Sequence, residues 1–364
     1  MKVAILGSRG IPNHHGGFEQ FAEYFAVFLA ENNVEVTVYN SSLHPYKSSV
    51  FKGVNIVACR DPEDKLGTAG QFIYDLNCIL DARKRDFDII LQLGYTSSSI
   101  WHFLMPKQSL IVTNMDGLEW KRSKYGYLTK KFLKYAESLA AKYSDFLISD
   151  SKGIQNYLKK EYNKNSKFIA YGAHLFNKPN ADILEEYNLT PNAYNLLIAR
   201  LEPENNIEEI IEGAKDFKYP IVVIGDFKKT KLGQRLYEEF NAHNNVVFLG
   251  AIYNTNHLDN LRYYSYAYFH GHSVGGTNPS LLEAMASNAF IIANENEFNK
   301  SVLGKNALYF KEVNAIKHHL KSIHQTNYEQ SIDANRQKIQ DTYSWDIINN
   351  AYLSYFEELL TKSN

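Results

Sequence analysis

From its first residues the chain alternates between short continuous apolar runs and longer stretches in which apolar side chains recur every third or fourth position. In the first half the runs fall at residues 2–7, 35–40, 54–59, 88–94, 109–114, 145–149 and 167–171. Between the first two, residues 16–30 place Phe18, Phe21, Ala22, Phe25 and Leu29 on one face at helical spacing, which predicts an amphipathic helix. Strands that are apolar on both faces belong to parallel sheets covered by helices on each side. Their alternation with helical patterns predicts a doubly wound α/β architecture.

Residues 176–195 break this rhythm. They are polar, carry Pro179 and Pro191, and read as a linker. A second series of runs follows at 195–200, 220–225, 245–250, 266–271, 290–293 and 307–310. The expected division is a first domain over residues 1–175 and a second over 192–340, with ligands bound in a cleft at the carboxyl ends of the strands. Near the end, Trp345, Ile348, Tyr352, Tyr355, Phe356 and Leu359 form one stripe that has to be buried, and helix 343–364 is expected to pack back on the first domain.

Composition narrows the function classes. A chain of 364 residues exceeds one ordinary core. The formal charge of -1 offers nucleic acid no global attraction, so a nucleic-acid partner is not expected. Aromatic residues reach 14%, which suits stacking against sugars but more often serves core filling. The two cysteines, Cys59 and Cys78, form no CxxC and give neither a disulfide framework nor a zinc site, which fits a reducing compartment. The opening MKVAILG reads as a strand rather than a signal peptide, and no run approaches the roughly 20 apolar residues of a bilayer span. A cytoplasmic protein, soluble or peripheral on the inner face of the plasma membrane, is the expectation.

Three segments carry candidate chemistry. The first strand runs into Gly7-Ser8-Arg9-Gly10-Ile11-Pro12, and Gly16-Gly17 opens the helix, so backbone N–H groups there suit an anion. The spacing is not GxGxxG, and a purely structural turn fits as well. The second domain's first strand ends in Ala199-Arg200-Leu201-Glu202-Pro203-Glu204-Asn205-Asn206. Arg200 presents a fork of donors suited to diphosphate oxygens, and pairing with Glu202 or Glu204 is the bland alternative. The third segment is His270-Gly271-His272-Ser273-Val274-Gly275-Gly276-Thr277-Asn278-Pro279-Ser280-Leu281-Leu282-Glu283. A strand passes into a polar loop, Pro279 favours the first helical turn, and Glu283 lies about one turn inside, where its carboxylate can accept from a ribose diol. His270 and His272 lack a third ligand, and no DxD pair is counted, so no metal is expected.

Together these segments resemble the glycosyltransferase family 4 enzymes of the GT-B fold, whose two Rossmann-like doubly wound parallel-sheet domains face a central cleft. The likeness rests on GSRGIP…GGFE, NMDGLEWKRSKY, ARLEPENN and GHSVGGTNPSLLEAMA and covers essentially the whole chain. It looks closest to a bacterial subgroup that includes rhamnosyltransferases of capsule and cell-wall polysaccharide assembly. The resemblance implies a retaining, metal-independent transferase without a cofactor, with dTDP-rhamnose as first guess for the donor. The implied acceptor is a glycan or a polyprenyl-diphosphate-linked saccharide.

By the same resemblance Gly16 and Gly17 would line the donor-phosphate and acceptor side, and Arg200 would hold the diphosphate. Gly276, Thr277 and Asn278 would contact the transferred sugar and phosphate, and Glu283 the ribose. Asn206 is grouped with the donor set, near where the family's lysine usually follows the arginine. Two further departures stand out: the first of the family's paired glutamates falls on Gly275, and Met115-Asp116 replaces a usual histidine. Asp116, then Glu119, are the carboxylates best placed past a strand end to orient or deprotonate the acceptor, with helix capping or pairing to Lys121 or Arg122 as the alternative. Residues 120–142 interleave Lys121, Arg122, Lys124, Lys130, Lys131, Lys134 and Lys142 with aromatics, a pattern that fits anionic lipid headgroups or a solvated helix face. Two competing readings remain: a non-catalytic transferase-like partner subunit and a nucleotide-sugar epimerase of the same architecture.

Overall fold

The computed structural model describes residues 1–14, 16–115, 117–122, 124–323 and 328–363, so Asp116 lies outside the described residues. By contact the chain divides into two compact units. One comprises Met1–Trp120, Tyr125–Tyr171 and Trp345–Asn364; the other comprises Lys121–Lys124 and Gly172–Ser344.

In the first unit the strands are β1 (Lys2–Leu6), β2 (Glu35–Ser41), β3 (Val50–Phe51), β4 (Val54–Cys59), β5 (Ile89–Leu93), β6 (Leu110–Asn114), β7 (Phe146–Ser149) and β8 (Lys167–Phe168). They form one sheet in the order β3-β4-β2-β1-β5-β6-β7-β8. Every pairing is parallel except β3 with β4. Each of the seven predicted runs is a strand; β3 is the addition. Its two residues are too few to carry a pattern, and Lys52 and Gly53, both at positive φ, turn it back on β4 as a tight hairpin.

The predicted first helix is Gly17–Glu31, and it buries Phe21, Ala22, Phe25, Ala26 and Leu29. The helix Trp345–Ser363 supplies a partner for that face. Phe21 and Phe25 meet Tyr352 at ring separations of 4.8 and 5.1 Å, and Trp345 lies 4.7 Å from Tyr24. Offset and tilted aromatic pairs of this kind add to the burial of large rings.

The second unit holds β9 (Asn195–Ile198), β10 (Ile221–Ile224), β11 (Val246–Gly250), β12 (Ala267–His270), β13 (Ile291–Asn294) and β14 (Leu308–Phe310). All are parallel, in the order β11-β10-β9-β12-β13-β14. Its core joins Leu197, Val223, Phe269 and Ile292 from the sheet to Ile210, Ile211, Leu236 and Ile316 from the covering helices. Residues 176–195 are more than a bare linker: Ala181–Tyr187 is a 3-10 helix, capped by Asn180, that buries Ile183 and Leu184.

In both sheets the winding reverses beside the first strand, between β1 and β5 in one and between β9 and β12 in the other. Doubly wound sheets bind ligands in the crevice that such a reversal opens at the carboxyl ends of the strands. The count of no DxD pair is corrected by the chain itself, since Asp86-Phe87-Asp88 is one. It precedes β5 at the amino end, where Asp88 accepts from the Lys2 N–H at 2.6 Å, opposite to the strand ends that flank the crevice.

Candidate functional site

In the second unit the crevice is flanked by the loops that follow β9 and β12. Arg200 stands exposed just past β9, and its guanidinium makes no hydrogen bond or ion pair among the described residues. The two acids that offered it a bland partner are directed elsewhere. Glu202 lies 3.6 Å from Lys124, and Glu204 lies 3.7 Å from Arg122. Glu204 is nearly fully buried, and neither of its carboxylate oxygens accepts a hydrogen bond among the described residues.

The two loops are laced together. Gly271 approaches so closely that a Cβ there would sit 1.9 Å from the Asn205 carbonyl oxygen. Asn206 donates through Nδ2 to the Gly271 carbonyl at 2.6 Å, and Ser273 donates through N and Oγ to the Glu204 carbonyl at 2.9 and 2.8 Å. Asn206, grouped with the donor-binding residues, therefore spends its amide N–H on the loop. His272 Nδ1 meets Asn205 Oδ1 at 2.9 Å. Burial, then the positive charges of Arg122 and Arg200, pushes His272 down to about 4. Burial and His272 push His270 down to about 3, and its Nε2 has no hydrogen-bond partner among the described residues. Both imidazoles are neutral at neutral pH. Among the described residues no group of three or more His, Cys, Asp or Glu is placed to hold a metal ion.

Gly275, at the position of the family's first glutamate, has φ +132, and a Cβ would lie 3.0 Å from His272 Nε2. Side-chain-bearing residues rarely adopt that backbone, so a glutamate there would require a different loop. Gly276 and the buried Thr277 lead to Asn278, whose Oδ1 accepts from the Ser280 N–H at 2.9 Å and caps the helix Pro279–Ala286. Asparagine is a favoured cap because its side chain satisfies an orphan helix donor. Glu283 follows one turn in. Its Oε2 accepts from Arg262 Nη2 at 2.5 Å, and Arg262 Nη1 also donates to Asp259 at 2.9 Å. Sequence reasoning missed Arg262, because an Asp-x-x-Arg pair on a helix ordinarily reads as a surface contact.

In the first unit the loop after β1 is tightly strapped. Arg9 forms a two-pronged contact with Glu63, Nε to Oε2 at 3.0 Å and Nη2 to Oε1 at 2.6 Å, and its own N–H donates to Glu19 at 2.8 Å. Asn40 clasps Ile11 through both its N–H and its carbonyl. Gly16 is extended at the start of the helix Gly17–Glu31, with no side-chain cap, and Tyr171 donates to the Gly17 carbonyl at 2.7 Å. Glu119 sits half-buried in the short 3-10 turn Glu119–Lys121. Near the same strand ends lies a group that the pattern did not single out: Asp75, buried in the helix Ala69–Ala82, accepts from Ser97 Oγ at 2.5 Å. Burial pushes Asp75 up to about 7, against the pull of the Ser97 hydrogen bond.

The basic stretch 120–142 is not one solvated face. Arg122 and Lys124 pair with acids, and Lys134 turns toward Glu137 at 3.3 Å and Glu161 at 3.0 Å over the rings of Trp120, Tyr157 and Tyr162. The exposed part of the helix Tyr127–Tyr143 is narrower, carrying Tyr127, Leu128, Lys131, Tyr135 and Lys142. Among the described residues no helix is long and apolar enough to cross a membrane.

Comparison with known proteins follows the same division. Residues 1–174 match a family described as a domain of unknown function (DUF1972), and residues 181–338 match the family of glycosyl transferases group 1. No curated protein sequence matches the chain. Among solved structures, sucrose-phosphate synthase from Thermosynechococcus elongatus superposes with a TM-score of 0.82 at 15% identity over 99% of each chain. Anabaena Alr3699/HepE in complex with UDP-glucose gives 0.75 at 14% identity, again over 99% of each chain. An α,α-trehalose 6-phosphate synthase from Burkholderia multivorans gives 0.72 at 11% identity over 100% of this chain and 99% of that one. The chain therefore has the GT-B fold, and residues 181–338 are similar to the glycosyl transferases group 1 family.

Proposed function

We propose that the protein is a retaining glycosyltransferase that moves a sugar from a nucleotide-sugar donor to a glycan or a polyprenyl-diphosphate-linked saccharide. The observation that carries this reading is Arg200, unpaired at the end of β9 beside the winding reversal, in a unit matched to a transferase family. A leaving nucleoside diphosphate needs its developing charge met by fixed donors. Arg200 and the positive end of the helix Pro279–Ala286 meet that charge without a metal. Gly276, Thr277 and Asn278 border the transferred sugar, and Glu283 accepts from the ribose. Asp116 or Glu119 orients the acceptor hydroxyl, with Gly16 and Gly17 on the acceptor side, and front-face attack retains the anomeric configuration.

The first candidate donor is dTDP-rhamnose for surface polysaccharide assembly, and the UDP-glucose of the Anabaena complex makes UDP-sugars the direct competitor. The exposed Tyr127, Leu128, Lys131, Tyr135 and Lys142 suit a peripheral seat on an anionic cytoplasmic membrane face. Thermal unfolding with UDP, dTDP and GDP, wild type against Arg200→Ala, tests the core of the reading. A diphosphate at about a hundredfold its Kd adds roughly 2.7 kcal/mol. A shift with one base, lost in the variant, is expected and names the donors to try in transfer assays. No shift with any of them would leave a non-catalytic partner subunit as the better account.

A further inference from the structure

We propose that Arg262 is a positioning residue for nucleotide recognition: it pins one oxygen of Glu283 so that the other meets the ribose in a fixed orientation. The proposal rests on the reading above that Glu283 accepts from the donor's ribose. Arg262 lies on the helix Thr255–Tyr263, is only 2% exposed, and is among the largest fully buried side chains of the protein. A buried guanidinium is costly unless it is paired. Its neighbour Asp259 alone supplies a counter-charge at 2.9 Å. The guanidinium nevertheless reaches to a second helix and binds Glu283 Oε2 at 2.5 Å, while its own Nε has no hydrogen-bond partner among the described residues.

The bracket is rigid on both sides. Asp259 also accepts from Ser287 Oγ at 3.3 Å, at the far end of the helix that carries Glu283. Tyr268, which packs against the guanidinium, hydrogen-bonds Ser280 at 2.6 Å near that helix's start. Glu283 itself keeps 28% of its side chain exposed, and Oε1 has no partner among the described residues. A carboxylate held by one oxygen loses little further rotamer freedom when the other takes a hydroxyl, and this is how preorganisation raises affinity. Lysine cannot reproduce the fork that spans the two acids.

The test measures how strongly the ribose hydroxyls are read. Dissociation constants are determined for UDP and 2′,3′-dideoxy-UDP, and for dTDP and its 3′-deoxy analogue, with wild type, Arg262→Lys, Glu283→Gln and the double variant. Wild type is expected to favour the hydroxylated member of the binding pair by about tenfold or more, the scale of a hydrogen bond to a charged group. Arg262→Lys should bring that ratio to within about threefold while the deoxy analogue binds as before, and the double variant should add little to Glu283→Gln alone. If Arg262→Lys keeps the wild-type ratio and Glu283→Gln abolishes it, Arg262 is only a strut and the proposal falls. If Glu283→Gln keeps the ratio, the reading of Glu283 fails first. Should Arg262→Lys not fold, Asp259→Asn with Arg262→Gln removes both charges together and must give the same collapse of the ratio.

Discussion

Glu137 in the first unit and Glu204 in the second are both almost completely buried, and the two are treated in opposite ways. In the first unit Glu137 accepts from Tyr95 and Trp120 at 3.1 Å and from Tyr157 and Tyr162 at 2.6 Å, with Lys134 beside it. Burial and that carboxylate push both tyrosine phenols up, so they remain donors at any working pH. In the second unit Glu204 accepts no hydrogen bond at either oxygen among the described residues and has Arg122 at 3.7 Å. Burying a carboxylate is tolerated when donors saturate it, and an unsaturated one calls for a reason. Glu137 ties the helix Tyr127–Tyr143 to its surroundings. Glu204 lies in the loop after β9, whose backbone carries Arg200 and is laced to His272 and Ser273. The saturated acid holds structure together, whereas the unsaturated one lies in a loop that also carries an exposed arginine.

The largest effect should come from the saturated side. Glu137→Ala strands four donors and a lysine, and unfolding by urea should show a loss on the order of 3–5 kcal/mol. A loss below about 1 kcal/mol would remove Glu137 from its role as an anchor.

Acid should act next, and through the second unit. His270 and His272 hold folded-state values of about 3 and about 4, below the ordinary 6.5. The unfolded chain therefore takes up their protons first. Their contribution is present above pH 6.5 and is lost as pH falls toward 4, at up to about 1.4 kcal/mol per pH unit for each. Asp75 works in the other direction: with a folded value raised to about 7 from 3.8, its contribution is present below pH 4 and is lost as pH rises toward 7. Tm should drop between pH 7 and 5, and His272→Asn should shrink the drop. An identical drop in the variant would clear that histidine.

The smallest effect belongs to Glu204→Gln. Removing an unsaturated charge should change stability by less than about 1 kcal/mol and should tighten nucleoside diphosphate binding a few-fold, because one negative charge leaves the neighbourhood of Arg122 and the loop that carries Arg200. A cost matching that of Glu137→Ala would dissolve the contrast between the two acids.

The fold was legible because buried parallel strands are apolar on both faces and announce themselves without alternation; only the two-residue β3 fell below that signal. Arg200 and Glu283 could be placed because a strand end and a first helical turn are local offsets, readable by counting. The local duties of Asn206 and Asn278 were also within reach, since asparagine favours left-handed turns and helix caps. Arg262, Asp75 and Glu137 were not, because each is a charged residue on an ordinary helical pattern whose burial depends on distant partners. The DxD triplet at residues 86–88 makes the converse point: a motif acquires meaning only from the end of the strand at which it stands.

The helix Trp345–Ser363 completes the aromatic face of Gly17–Glu31, although the whole second unit is threaded between them. On the ribosome the first sheet therefore emerges early but waits for this covering helix until the second unit has been synthesised. During that interval Phe21 and Phe25 lack the ring contacts they make with Tyr352. A stop near residue 345 would injure the first unit rather than the second.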